Sequence, residues 1–272
     1  MRLPIPHATV SRVALSALLC AALLRPATVG AATTAGLAAH RALYTLTLGA
    51  SKGDIAGATG TMAYEVLDAC DGWATRQRLD MTVTNRDGQD IKMVSDYTTW
   101  EAKDGLRLRF QTRQTTDTAV TSEVAGEATL PAAGEAGVVQ YKVPSDSIRD
   151  LPAGTLFPMA HTAAIIAGAE AGKKFLAIPL FDGTSPDGAQ NSSIVITSWG
   201  GPQANRWPDL ASLPSGRVHV AFFDRKEASQ QPDYEVGMRY WQNGVADDLA
   251  MDFGDFTMNG KLTEFMPHAP GC

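Results

Sequence analysis

Apolar and polar residues alternate along most of this chain, which is the pattern of strands that bury one face. Near the start, Tyr44, Leu46 and Leu48 share one face, and threonines occupy the other. The same period of two predicts strands over 42–48, 61–67, 73–84, 91–100, 106–112, 120–129, 138–143, 175–181, 194–199, 217–223, 234–241, 245–253 and 261–266. Short polar turns such as Asn243-Gly244 join several of them, which favours an antiparallel meander.

One segment departs from this alternation and predicts a helix. Residues 159–171 are rich in alanine and isoleucine, Pro158 precedes them, and Gly172 follows. These are the start and stop signals of a helix. The stretches 49–60, 150–158 and 200–216 are rich in glycine, proline or small residues and predict loops.

About a dozen strands and one helix predict a mainly β protein. A sheet of that size limits its exposed edges by curling or closing. We therefore expect a curled, incompletely closed antiparallel sheet, similar to a barrel, with the helix packed into its concave face.

The N-terminus has the three parts of a secretory signal peptide. Arg2 and Arg12 precede an apolar run of 12 residues, Val13–Leu24, and small residues follow. The run is shorter than the roughly 20 residues that span a bilayer. We predict a signal peptide over 1–31, a single domain over 32–272 and no transmembrane segment after cleavage.

Cleavage would change both the charge and the set of cysteines. The loss of three arginines with the signal peptide moves the formal charge from −6 to −9. That acidity argues against nucleic acid as an electrostatic partner. Cys20 would be lost, which leaves Cys70 and Cys272. Because exported proteins meet an oxidising compartment, we expect these two to form a disulfide.

The chain has no motif that establishes a reaction. It lacks a G-x-S-x-G nucleophile elbow, and its histidines have no metal-ligand spacing. His161, at the start of the predicted helix, either satisfies a local polar group or acts on a substrate. His40 and His268 lie near the mature ends, where we expect them to be solvated. We predict no enzymatic activity, no cofactor and no metal.

Four aspartates crowd one predicted hairpin: Asp247, Asp248, Asp252 and Asp255. Paired carboxylates can act as acid and base or bind Ca²⁺. The alternating faces of a strand would split this set unless a bulge intervenes, which favours a polar face and turn caps.

Aromatic residues gather around the predicted loop at 200–216, where they line either a groove or the core. The group comprises Trp199, Trp207, Phe222, Phe223 and Tyr240. The candidate binding residues are therefore Phe157, His161, Trp199 and Trp207.

Several stretches resemble the EipB-like family of exported cell-envelope integrity proteins of alphaproteobacteria. They are HRALYTL at 40–46, DLPAGTLFPMAH at 150–161, FDG at 181–183 and NGVADDLAMDFGDF at 243–256, followed by Gly260 and Leu262. The resemblance implies a β-spiral around a helix, a periplasmic location, a role in envelope stability and no established enzymatic activity. It also implies a bond between an early and a C-terminal cysteine, the places of Cys70 and Cys272.

Three functions stay open at this point. The first is a periplasmic protein that binds a lipid, a peptide or an envelope protein in or on the curled sheet. The second is a hydrolase of envelope polymers that uses His161 and the hairpin aspartates. The third is a structural subunit of an envelope complex.

Overall fold

The computed structural model describes residues 34–225, 231–269 and 271, so the predicted signal peptide and Cys272 lie outside the described residues. Fourteen strands dominate the described chain. They are β1 (His40–Ser51), β2 (Ile55–Asp68), β3 (Gly72–Asn85), β4 (Asp90–Ala102), β5 (Arg107–Thr116), β6 (Ala119–Thr129), β7 (Gly137–Val143), β8 (Ser147–Leu151), β9 (Phe175–Leu180), β10 (Gln190–Gly200), β11 (Ser215–Phe223), β12 (Tyr234–Trp241), β13 (Ala246–Asp252) and β14 (Phe256–Pro267). The helices are α1 (Pro158–Glu170) and the single turn α2 (Pro208–Ala211), after a 3₁₀ turn at Thr34–Gly36.

All fourteen strands form one antiparallel sheet in which β1 pairs with both β2 and β14. From that centre the sheet extends through β2 to β8 on one side and through β14 to β9 on the other. Strands β8 and β9, neighbours in the sequence, are therefore its two edges. The predicted curled, incompletely closed antiparallel sheet is confirmed.

A single bridge links the chain beyond β8 to the opposite edge of the sheet. The backbone N–H of Leu156 donates to the oxygen of Pro179 at 2.9 Å, and Phe181 N–H donates to the oxygen of Leu156 at 3.0 Å. The pairing is parallel and isolated. It fixes the entry to α1 against β9 without continuing the ladder.

Helix α1 crosses the concave side of the sheet, as the sequence predicts. Pro158 occupies its first turn, and Phe157 is the residue before it. Ile165 and Ala169 belong to the largest core cluster together with Ile194 and Trp241. Buried residues lie around most of the helix, which explains why it carries no clear polar face.

The predicted loop at 49–60 is wrong, because β1 continues to Ser51 and β2 begins at Ile55. The small residues there fit strands at crowded positions. A Cβ on Gly60 would lie 2.4 Å from the backbone oxygen of Asp80 on β3. Glycine permits this close approach between strands, so composition alone suggests a loop where the ladder is in fact continuous.

Two short elements lie where the sequence predicts irregular chain. Strand β8 ends inside the predicted loop at 150–158, and α2 lies inside the predicted loop at 200–216. Both are too short to give a periodic signal. Among the described residues, no helix is long and apolar enough to cross a membrane.

Candidate functional site

The concave face of the sheet encloses an elongated cavity of about 400 Å³. Strands β1, β2, β3, β12 and β13 supply most of its wall, and α1 covers part of it. The side chains that face it are mostly apolar or aromatic. They include Tyr44, Met62, Tyr64, Leu79, Met159, Val236, Met238, Tyr240, Leu249, Met251 and Phe253.

The alternation of the strands creates this wall. Leu79 pairs with Met62 across β2, and Met62 pairs with Tyr44 on β1. Because residues that pair directly across neighbouring strands lie on the same face of a sheet, these three large side chains point inward together. Ligand cavities of about 300–1,000 Å³ are usual for small molecules, so this one is at the lower end of that range.

No Asp, Glu, Lys or Arg is present among the described residues that line the cavity. Its titratable imidazole, His40, is 3% exposed, and burial lowers the pKa of that histidine. Burial likewise raises the pKa of the Tyr44 and Tyr64 hydroxyls well above their ordinary value. The wall is therefore uncharged near neutral pH.

His40 is buried, which corrects the expectation that it is solvated. Its ring lies between Tyr64 and Phe265, with both centroid distances 5.9 Å. Nδ1 lies 2.8 Å from the backbone oxygen of Ala38, which is an acceptor, so Nδ1 carries the proton. His268 is also partly buried and lies 3.3 Å from the carboxylate of Glu65.

The cavity is long in the direction of the strands. Gln77 lies at the level of Ala42 on β1, and Met251 lies at the level of Leu48. At about 3.3 Å per residue, the two levels are about 20 Å apart. This shape suits an extended apolar chain better than a compact ring system.

Four half-buried aromatic rings form a row at the Phe253 end of the cavity. Phe222 and Tyr234 have centroids 6.0 Å apart, Tyr234 and Phe253 are 5.4 Å apart, and Phe253 and Phe256 are 5.2 Å apart. Phe222 was in the predicted aromatic group, and the others were not. The row adds a continuous aromatic surface to the apolar wall.

The start of α1 is capped by a side chain from the sheet. The Glu101 carboxylate on β4 accepts from the backbone N–H of Met159 at 2.7 Å and of Ala160 at 2.8 Å. The helix dipole also favours a negative charge at this end of the helix. Glu101 is fully buried, and this burial raises the pKa of its carboxyl to about 7, against the two hydrogen bonds, which lower it.

His161 and Phe157, two predicted binding residues, lie inside the fold and outside the cavity wall. Phe157 is fully buried in a second core cluster with Phe181, at 6.3 Å between ring centroids. His161 Nε2 lies 2.8 Å from Ser192 Oγ, and that hydroxyl donates to the oxygen of Ile178 at 2.7 Å.

This arrangement makes His161 a donor. Because the Ser192 proton is engaged with the Ile178 oxygen, His161 Nε2–H donates to Ser192 Oγ. Burial lowers the pKa of His161 to about 4, which keeps the ring neutral. A catalytic base would instead accept the proton of the serine.

Trp199 and Trp207 are partly buried and pack against the main core cluster. Trp207 contacts Phe265 edge-on at 6.0 Å, and the Arg206 guanidinium lies 4.5 Å from its ring centre. Neither tryptophan lines the cavity. None of the four predicted binding residues lines the cavity: Phe157, His161, Trp199 and Trp207. A binding role for them stays a prediction.

The hairpin aspartates are spread over separate structural roles. Asp247 is buried and accepts from Leu262 N–H at 2.7 Å, and Asp248 pairs with Arg217 at 2.9 Å. Asp252 accepts from Gly254 N–H at 2.8 Å in a turn. A register shift between β12 and β13 and a φ of 50° at Asp248 show that a bulge is present in this hairpin. The sequence pattern alone does not decide whether one occurs.

The Cys70 sulfur lies 3.8 Å from the backbone oxygen of Gly271, the residue before Cys272. The C-terminal segment therefore reaches the turn between β2 and β3. Cys272 itself lies outside the described residues, so its bond to Cys70 stays a prediction.

A curled, nearly closed antiparallel sheet with an apolar interior defines a β-barrel-like class of protein. The family model described as EipB-like matches residues 31–268. The chain therefore belongs to the EipB-like family, as its sequence motifs indicate.

Two proteins from Brucella abortus are similar to this chain. The cell envelope integrity protein EipB of strain 2308 is 36% identical over 249 residues, which cover 86% of this chain and 85% of that protein. A crystal structure described as a beta-barrel-like protein of domain of unknown function DUF1849 superimposes with a TM-score of 0.78 at 31% identity. That similarity covers 86% of this chain and 99% of the solved one. The first name gives a role in envelope integrity, and neither names a reaction.

Proposed function

We propose that this protein supports the cell envelope from the periplasm without catalysis, by holding the apolar chain of a lipid inside its curled sheet. The name of the EipB relative supports the envelope role, and the predicted signal peptide supports the location. The uncharged cavity of about 400 Å³ is the observation that carries the proposal.

The chemistry of the cavity wall favours a lipid chain over a peptide. A peptide carries an N–H and a C=O at nearly every residue, and each must find a partner when it is buried. The wall is mostly apolar, and hydroxyls such as that of Tyr44 are already bonded, here to the oxygen of Ala246 at 2.8 Å. An acyl chain needs no such partners.

The size of the cavity agrees with one chain. At about 30 Å³ for a group the size of a water molecule, 400 Å³ holds about a dozen methylenes. The elongated shape accepts them in an extended conformation. Burial of such a chain is favourable by about 0.8 kcal/mol for each methylene removed from water.

A cavity-filling substitution tests this function. The fluorescent apolar probe N-phenyl-1-naphthylamine should bind the mature protein with increased emission, and Leu79→Trp should weaken that binding at least tenfold. The matched control is Val138→Trp, at a position on β7 that is 41% exposed. Equal binding by both variants, with circular dichroism showing that both are folded, would contradict an internal site.

A further inference from the structure

Gln77 is a polar residue on the apolar face of β3, and its side chain faces the cavity. Thr75 precedes it and Leu79 follows it on the same face, and all three line up with the concave side of the sheet. Gln77 is half-buried, and its amide is not one of the fully buried polar groups that lack a partner among the described residues, so it is within reach of a molecule in the cavity.

The neighbours of Gln77 in the sheet have partners of their own. Tyr64 and Tyr97 lie directly opposite it on β2 and β4. The Tyr97 hydroxyl donates to the oxygen of Asp182 at 2.6 Å, and the Tyr64 hydroxyl interacts with Thr75. Within the described part of the chain, the Gln77 amide makes no hydrogen bond. Its N–H₂ donors and its oxygen are therefore available to a bound molecule.

The absence of charged residues from the described cavity wall limits the chemical class of molecule that can bind beside Gln77. A carboxylate brought next to Gln77 inside the cavity would lose its hydration and meet no cation among the described residues of the wall, which is strongly unfavourable. The carbonyl of an ester or amide carries no charge and accepts one hydrogen bond from an N–H donor. The amide of Gln77 matches that group.

Resting on the proposed function, we infer that Gln77 donates a hydrogen bond to the carbonyl of an ester- or amide-linked acyl chain. The site then prefers such uncharged acyl groups to free fatty acid anions. The chain extends from Gln77 along β3 and β12 toward Met251 and Phe253. Both ester-linked lipids and amide-linked acyl groups of lipoproteins carry this chemistry.

Competition against N-phenyl-1-naphthylamine separates these possibilities. Methyl laurate, N-methyl lauramide and laurate have the same chain, and laurate is ionised at pH 8. We expect the ester and the amide to displace the probe at concentrations at least tenfold below laurate. A preference between ester and amide indicates which of the two natural sources fits.

The variant Gln77→Leu should weaken the ester and the amide about fivefold to tenfold, the range of one hydrogen bond, and leave probe affinity unchanged. Gln111→Leu, on the exposed face of β5, is the matched control. Laurate that competes as well as the ester, or an ester affinity unchanged by Gln77→Leu, overturns this inference while the probe still binds. Failure of the probe itself to bind would instead contradict the proposed function.

Discussion

Glu101 and His161 are two buried ionisable side chains beside the first turn of α1, and their pKa values are shifted in opposite directions. Burial raises the pKa of Glu101 from 4.5 to about 7 and lowers the pKa of His161 from 6.5 to about 4. In both cases burial disfavours the charged form. The same physical cause therefore has opposite effects on the pH dependence of stability.

The folded state binds the Glu101 proton more tightly than the unfolded state. Its contribution to stability is complete below about pH 4.5 and is lost as the pH rises through about 7. His161 binds its proton less tightly in the folded state. Its contribution is complete above about pH 6.5 and is lost as the pH falls through about 4. The two trends oppose each other between about pH 4.5 and 6.5.

We therefore expect Glu101→Gln and His161→Gln to change the pH dependence with opposite signs. As the pH rises from 5 to 8, the free energy of unfolding of Glu101→Gln should increase relative to that of the wild type. That of His161→Gln should decrease relative to the wild type over the same range. Between these two pH values each change should amount to about 2 kcal/mol, because about 1.5 to 2 pH units between the folded and unfolded pKa of each group lie inside that range. Urea unfolding at several pH values, followed by tryptophan fluorescence, measures these differences.

Glu127→Gln is the control, since the Glu127 carboxylate is 40% exposed and pairs with Arg107 on the surface. Its effect on stability should be small, because exposed ion pairs contribute little. Parallel pH profiles for the wild type and both buried variants would show that neither shift exists.

At the scale of elements, the sequence predicts most of the architecture through one signal, the period of two. That signal marks thirteen strands and is strongest where one face is buried, as at Tyr44 and Leu46. It misses β8, whose exposed Ile148 and short length give no alternation. The helix signal at Pro158 is local, and α1 begins at that residue.

The contacts that complete the elements come from distant parts of the chain. Glu101 caps α1 by accepting from the backbone N–H of Met159, 58 residues later in the chain, and no local capping pattern identifies it. The cavity wall combines β3 with β12, which are not neighbours in the sheet and face the same cavity because the sheet curls. Gln77 was detectable in principle as a polar residue between Thr75 and Leu79, but its meaning depends on a cavity that only the fold creates.

At the scale of the whole molecule, the sheet is a single ladder whose first and last described strands, β1 and β14, pair with each other. The C-terminal segment then returns toward the turn after β2, where Cys70 lies. A bond to Cys272 would close a loop slightly longer than the 201 positions that separate Cys70 from Gly271. Such a bond would hold the C-terminal segment against the sheet.

We expect Cys272→Ser to lower the free energy of unfolding by about 3 kcal/mol, since a crosslink restricts the unfolded chain. For a protein of this size, the melting temperature should fall by about 6–12 °C. Reductant should lower the melting temperature of the wild type and leave that of Cys272→Ser unchanged. If reductant leaves the wild type unaffected, the proposed bond does not stabilise the fold.

Under the proposed function, the cavity inside the sheet holds an acyl chain in the cell. Native mass spectrometry of the protein purified from periplasm, followed by lipid analysis of the released material, tests it most directly. We expect a bound species that contains an ester- or amide-linked acyl chain and is lost in Leu79→Trp. A wild-type protein that is free of lipid in every preparation, or a Leu79→Trp variant that retains the same lipid, would contradict it.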